Sequence, residues 1–286
     1  MKLNELKANF QKSLLLLYPT EEIQSFFSIL SEKYLKLSRV EAALNPDLEI
    51  SEKDAEKFSS ALIRLKNHEP IQYIIGETEF YGLRFKVNPH TLIPRPETEE
   101  LVEVILSEVE AFSQNAASKT ILDIGTGSGC IAISLAKNLP EATVSAIDIS
   151  EKTLGLAQEN ALVNDVRVHF VQADILITKS LDKMYDVIVS NPPYVRELEK
   201  KLMQQNVLKY EPEAALFVQD SDPLLFYRTI SRLAKAHLKP GGKLFFEINE
   251  YLAEETVSLL KKEGFQDIEL RKDIFGKFRI LKSTFK

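Results

Sequence analysis

Asn191-Pro192-Pro193-Tyr194 follows the apolar run Asp186-Val187-Ile188-Val189-Ser190. That order of residue types suits one chemical task, making a planar –NH₂ group nucleophilic. The nitrogen of a carboxamide or an aminopyrimidine has its lone pair delocalised into the neighbouring π system. The Asn191 side-chain oxygen and the Pro192 carbonyl can each accept one N–H, which aims the nitrogen's lone-pair direction at an electrophile. Each proline fixes its own φ and restricts the residue before it, so the acceptor pair is rigid before substrate arrives. Tyr194 adds a flat ring on which an amide or base can stack. A turn closing a buried strand would account for Pro-Pro alone, but the flanking Asn and Tyr favour chemistry. Asn191, Pro192 and Tyr194 are thus the candidate catalytic residues, and Pro193 joins them in the candidate substrate site.

The elements that must supply the electrophile lie upstream. The strand-like Thr120-Ile121-Leu122-Asp123-Ile124 runs into Gly125-Thr126-Gly127-Ser128-Gly129, and a helical segment begins at Cys130. Glycines let backbone N–H groups approach a ligand with no Cβ in the way. A dinucleotide fingerprint would need glycine at 130, where this chain has cysteine. A second strand, residues 143–147, ends at Asp148, 19 residues beyond Gly129. That is near the spacing at which an acidic residue meets ribose hydroxyls, the alternative being a cap for the helix that starts near Ser150. Asp174 closes a third strand-like run and is a candidate for an adenine amino group, with a cap or turn role equally open.

Composition narrows the class. The chain has 286 residues, 44% hydrophobic and 27% charged, enough for one α/β domain and a smaller companion. A single cysteine excludes an internal disulfide and fits a reducing cytoplasm. The four histidines, at 68, 90, 169 and 237, have no metal-ligand spacing, so no metal is expected. No apolar run is long enough to span a bilayer, and the first residues have no signal-peptide pattern. A formal net charge of −6 argues against a large duplex-binding surface.

Residues 1–67 have helical periodicity, with Leu3, Leu6, Phe10, Leu14 and Leu17 on one stripe and Ile23, Phe26, Phe27, Leu30 and Tyr34 on another. Ser51 and Asp54 can cap a further helix. Residues 72–90 alternate like two strands joined at Tyr81-Gly82, and Thr98 can cap the helix after the prolines. Arg95 and Glu97, stiffened by those prolines, are either an exposed ion pair or part of a ligand pocket. Strands are expected at 120–125, 143–147, 168–172, 185–190 and 243–248, with a turn at Lys239-Pro240-Gly241-Gly242 and a closing hairpin from 268–271 to 277–281. The expected fold is α/β. It consists of a small helical domain (1–71), a β-hairpin linker (72–97) and a mostly parallel, Rossmann-like domain (98–286) whose C-terminal hairpin adds an antiparallel edge strand.

The chain resembles the HemK/PrmC family, the glutamine methyltransferases that modify peptide-chain release factors. The resemblance is carried by residues 69–76 (Glu-Pro-Ile-Gln-Tyr-Ile-Ile-Gly), Phe80-Tyr81-Gly82, Leu92-Ile93-Pro94-Arg95-Pro96-Glu97-Thr98-Glu99, residues 121–129, residues 186–194 and the run from Tyr210 to Phe217. The segment at 92–99 discriminates, because Asn-Pro-Pro-Tyr also occurs in adenine and cytosine amino-methyltransferases. The resemblance implies S-adenosylmethionine (SAM) as methyl donor and the glutamine of a Gly-Gly-Gln loop in a release factor as acceptor. It implies that Gly125, Thr126, Gly127, Ser128, Gly129, Asp148, Asp174, Ile175 and Asn191 bind the donor, and that residues 191–194 bind the glutamine. It also implies a helical domain that recognises the protein partner. Two positions depart from the family pattern. Ile175 stands where an aromatic often packs on adenine, and Val218-Gln219-Asp220-Ser221-Asp222-Pro223-Leu224 replaces a glycine-containing run. Neither direct nucleic-acid binding nor a membrane association is expected, and the protein is expected to be a cytoplasmic monomer. The competing readings are an amino-methyltransferase acting on nucleic acid and a non-catalytic SAM-binding scaffold.

Overall fold

The computed structural model describes residues 1–112 and 118–286, and the chain divides into two compact units. One comprises Met1–Gly76 with Gln204–Tyr210. It contains α1 (Leu3–Leu14), α2 (Thr20–Leu35), α3 (Arg39–Leu44), α4 (Glu52–Lys66) and α5 (Ile71–Ile75). The periodic apolar stripes form its core. Leu6, Phe10 and Leu14 meet Ile23, Phe27, Leu30, Phe58 and Leu65, and Phe10 packs edge-on against Phe27 and Phe58. Leu17 falls outside the helix and is exposed. Ser51 caps α4 by accepting from Asp54 N–H at 3.1 Å. Residues 72–75, expected to begin the strand-like run, belong to the helix Ile71–Ile75: Pro70 precedes it and Gly76 ends it at φ 74°, its N–H bonded to Gln72 O. Tyr73 and the adjacent Ile74 are both buried, so the strand-like alternation does not hold there.

The second unit spans Glu77–Met203 and Glu211–Lys286. It opens with the antiparallel hairpin β1 (Glu77–Phe80) and β2 (Leu83–Lys86), followed by α6 (Pro96–Phe112) and β3 (Thr120–Ile124). Phe80 and Phe85 are fully buried and lie in one core with Leu101 and Ile105, which fixes the hairpin to the domain. The chain continues through α7 (Cys130–Asn138), β4 (Thr143–Asp148), α8 (Glu151–Val163), β5 (His169–Gln172), β6 (Tyr185–Ser190) and β7 (Val195–Arg196). After α9 (Gln205–Tyr210), which belongs to the first unit, come α10 (Glu213–Leu216), β8 (Phe217–Val218), α11 (Leu225–His237) and β9 (Leu238–Glu247). The last elements are α12 (Ala253–Glu263), β10 (Gln266–Lys272) and β11 (Phe278–Thr284).

Seven strands form one sheet in the order β10-β11-β9-β6-β3-β4-β5. Strands β5, β4, β3, β6 and β9 are mutually parallel, and β11 is antiparallel to both of its neighbours. The antiparallel strand therefore lies inside the sheet, and β10 takes the edge expected for it. The Lys239-Pro240-Gly241-Gly242 turn is absorbed into β9 as an irregularity. Leu238 pairs with Tyr185 and Lys243 with Val187, while Gly241 N–H and Gly242 O bond to the backbone of Phe285.

The chain crosses from one half of the sheet to the other between β3 and β6, the switch point at which open α/β sheets bind ligands. Register aligns the loops there. Ile124 pairs with Ser190 and with Ile147, Asp148 pairs with Gln172, and Ser190 pairs with Phe246. Asp148, Gly125, Asn191 and Glu247 consequently share the carboxyl edge of four adjacent strands, and Asp174 follows the fifth.

Candidate active site

The glycine loop is held from several sides. Gly125 and Thr126 N–H both bond to Ile147 O at 2.8 and 3.0 Å, and Gly127 N–H bonds to Asp148 Oδ2 at 2.9 Å. These N–H groups therefore fix the loop and are not aimed at a ligand, contrary to the sequence expectation. The reason is the β3–β4 register, which brings Ile147 O and the Asp148 carboxylate beneath the loop. Gly125 and Gly127 have φ of 75° and 57°, and a Cβ at either would meet nothing within 4 Å, leaving an open face above them. Gly129 is different: at φ 84°, its added Cβ would lie 2.8 Å from Ile133 Cδ1 and 3.2 Å from the Ala157 Cβ. Buried Asn160 clamps the loop to the hairpin, donating to Ser128 O at 2.9 Å and Lys86 O at 3.0 Å.

Asp148 also accepts from Ser150 N–H at 3.0 Å, and Ser150 itself caps α8 by accepting from Thr153 N–H. The helix cap is thus the serine. A carboxylate offers about four acceptor positions, so Asp148 keeps capacity for a hydroxyl donor. Burial raises its pKa. Asp174 serves a turn: Oδ1 accepts from Leu176 N–H at 2.9 Å and its carbonyl accepts from Thr178. Ile175 packs its partly buried side chain against the core of the sheet.

Beneath this loop Asp123 is fully buried and accepts from Thr126 Oγ1 at 2.6 Å. Burial pushes it up to about 7, with Asp148 adding to the rise and Thr126 opposing it. Between the unfolded carboxylate range near 4 and this value the native state binds the extra proton, so stability falls as pH rises across that window. We expect Asp123→Asn to flatten the pH dependence of the melting temperature between about pH 4 and pH 8. An unchanged slope in thermal melts would contradict this.

Asn191 and Pro192 follow β6 immediately, with Pro192 buried and Asn191 partly exposed. Asn191 Nδ2 donates to Thr98 Oγ1 at 3.4 Å, and Thr98 Oγ1 donates to Glu247 Oε2 at 2.6 Å. Tyr194 OH donates to Glu247 Oε1 at 2.9 Å, and Arg279 Nη1 lies 3.5 Å from that hydroxyl. Asn249 Nδ2 holds Tyr194 O at 3.0 Å. Tyr194 is therefore tethered through its backbone and its phenol. Burial and the Glu247 charge hold the phenol well above its ordinary pKa, and burial raises Glu247 against its two hydroxyl donors and Arg279. Beyond Tyr194, β7 pairs in parallel with β8, bringing residues 217–218 alongside.

Sequence reasoning missed Glu247, Arg279 and Asn249, and it assigned Thr98 to a cap. Thr98 is buried in the first turn of α6 and spends its hydroxyl on Glu247. Arg95 pairs with the buried Glu211 at 2.5 Å, and Glu211 also accepts from Ile93 N–H at 3.2 Å. It thus ties residues 93–95 to 211, in place of the Arg95–Glu97 pair. A cavity of about 260 Å³ lies elsewhere, lined by Lys119, Asp186, Gly242 and Lys243 near the amino ends of the strands. Its distance from the carboxyl edge excludes it from this chemistry. Among the described residues no group of acidic, histidine and cysteine side chains could hold a metal ion, and no helix is long and apolar enough to cross a membrane.

The site fits a methyl-donor nucleoside better than a dinucleotide: the N–H groups of Gly125, Thr126, Gly127 and Gly129 are spent internally, whereas SAM has no phosphate for them to hold. Comparison with known proteins agrees. A family model described as the methyltransferase small domain matches residues 103–216, and one described as the PrmC N-terminal domain matches residues 12–76. The release factor glutamine methyltransferase of Flavobacterium psychrophilum is 52% identical over 286 residues, covering 100% of both chains. That of Bacteroides thetaiotaomicron is 44% identical over 280 residues, covering 98% of this chain and 99% of that protein. Among solved structures, a methyltransferase from Pyrococcus furiosus superposes with a TM-score of 0.53 at 21% identity, over 79% of this chain and 98% of that one. At that identity it speaks for the fold alone.

Proposed function

Since this chain belongs to the release factor glutamine methyltransferase family, we propose that Asn191 and Pro192 hold the side-chain amide nitrogen of the acceptor, the glutamine of a Gly-Gly-Gln loop. The chain transfers a methyl group from SAM to a glutamine of a release factor. The observation that supports the assignment of roles is the Ile124–Ser190 register, which sets the glycine loop and the Asn-Pro-Pro-Tyr loop side by side.

SAM supplies an electrophilic methyl on a sulfonium centre. Residues 125–129 offer an open glycine face for the donor, and Asp148 offers its remaining acceptor capacity to ribose hydroxyls. Asp174 and Ile175 border the donor side at the end of β5, and Asn191 touches both substrates. Asn191 Oδ1 and the Pro192 carbonyl each accept one amide N–H, directing the nitrogen for in-line displacement. Positive charge grows on that nitrogen during attack, so these acceptors bind the transition state more strongly than the ground state. Tyr194, tethered through Glu247 and Asn249, gives the amide a fixed ring to lie against. No general base is required, because a protonated amide releases its proton to water after transfer. On this reading the protein is a cytoplasmic monomer, in line with its single cysteine.

An aminopurine or aminopyrimidine in nucleic acid would satisfy the same acceptor pair. The net charge of −6 disfavours it. With tritium-labelled SAM and a mixture of release factor and nucleic acid, label should enter the protein. Label in the nucleic acid would reverse the assignment.

A further inference from the structure

We infer that Thr98 and Glu247 are positioning residues that set which way the Asn191 amide faces. This rests on the proposed role of Asn191 as an acceptor for the substrate N–H. An Asn side chain is nearly symmetric in shape, and its oxygen and nitrogen differ chiefly in hydrogen-bond polarity. Pre-organisation of the acceptor therefore requires a neighbour that accepts one end and cannot donate to it. Thr98 Oγ1 is that neighbour, at 3.4 Å from Asn191 Nδ2. A hydroxyl has one proton, and Thr98 gives it to Glu247 Oε2 at 2.6 Å. The other Glu247 oxygen receives the Tyr194 proton at 2.9 Å. Both Glu247 oxygens accept from hydroxyls, so both hydroxyl protons point toward the carboxyl group. Thr98 is left with lone pairs alone for Asn191, the amide turns its NH₂ to them, and Oδ1 is released to the substrate.

The same carboxylate thus sets the polarity of the nucleophile-orienting Asn191 and the position of the Tyr194 ring. Glu247 is 1% exposed and Thr98 2%, so water does not substitute for either contact. Asn191 and Glu247 are one step beyond the paired residues Ser190 and Phe246, which explains why a side chain from α6 can reach both.

The test is a series of full-length variants assayed with SAM and release factor, with SAM affinity measured by calorimetry. Glu247→Gln keeps the shape but can donate from its amide, allowing the Thr98 proton to turn toward Asn191 Oδ1. It should lower kcat roughly 10- to 100-fold, the scale of one misdirected buried hydrogen bond. Thr98→Val should do the same, and Thr98→Ser, which restores the hydroxyl, should recover at least about tenfold of that loss. SAM affinity should stay within about threefold in all three, far below the effect of a lost hydrogen bond on kcat. Wild-type kcat in Glu247→Gln and Thr98→Val, beside an impaired Asn191→Ala, overturns the inference and spares the role of Asn191. An Asn191→Ala variant at the wild-type rate instead overturns the reading on which it rests. Parallel losses of SAM affinity and melting temperature with no separate fall in kcat, or no recovery in Thr98→Ser, make the pair merely structural and overturn the inference as well.

Discussion

Asn191→Ala is expected to lower kcat by about 10²–10³-fold, the cost of removing one pre-organised polar contact to developing charge. The alanine removes Oδ1, one of the two proposed acceptors for the amide N–H groups, and leaves Pro192 O as the other. It also frees Thr98 Oγ1 from its 3.4 Å contact, while the Thr98–Glu247 and Tyr194–Glu247 bonds remain. The fold should therefore survive. Because Asn191 is also proposed to contact the donor, SAM affinity should weaken, but by much less than kcat. Single-turnover rates at saturating SAM separate the two effects. A variant with the normal single-turnover rate and only a raised KM would mean that Asn191 contributes uniform binding and no orientation.

Asp148→Ala should act on the opposite substrate. The side chain anchors the glycine loop through Gly127 N–H and the start of α8 through Ser150 N–H, and it is proposed to receive ribose hydroxyls. Hydrogen bonds to a charged group contribute about 1.5–3 kcal/mol each. Losing even one such ribose contact, together with the loop anchor, should raise the SAM dissociation constant about 100-fold or more. Asp148→Asn keeps one acceptor oxygen and should fall between. Calorimetry checks both variants. At saturating SAM the rate of methyl transfer should recover most of its wild-type value, since Asp148 is assigned to the ribose of the donor and not to the acceptor amide. Unchanged SAM affinity in Asp148→Ala would remove the residue from the donor site.

The parts of the candidate site that were legible in the sequence are those whose proposed chemistry is local along the chain. Asn191-Pro-Pro-Tyr194 and the loop at 125–129 each combine a strand end with rigid or permissive residues within a few positions, and alternating strands and helices forecast the parallel sheet that aligns them. What escaped depends on register across the sheet. Glu247 reads as the polar end of an apolar strand until pairing sets it beside Asn191 and within reach of Thr98, 149 residues away in sequence. Arg279 reaches Tyr194 only because β11 inserts between β9 and β10. The use of the loop N–H groups was also hidden, since nothing in Gly-Thr-Gly-Ser-Gly announces that Ile147 O and Asp148 lie beneath it. Residues 72–75 misled for a different reason: a helix of five residues is too short for its period to be told from alternation.

Peptide mass spectrometry of a release factor incubated with the purified protein and SAM tests the central claim most directly. One methyl group should be found on the side chain of the Gly-Gly-Gln glutamine, and a release factor with that glutamine replaced should accept none. A methyl on any other residue, or undiminished methylation of the replaced substrate, would contradict the account.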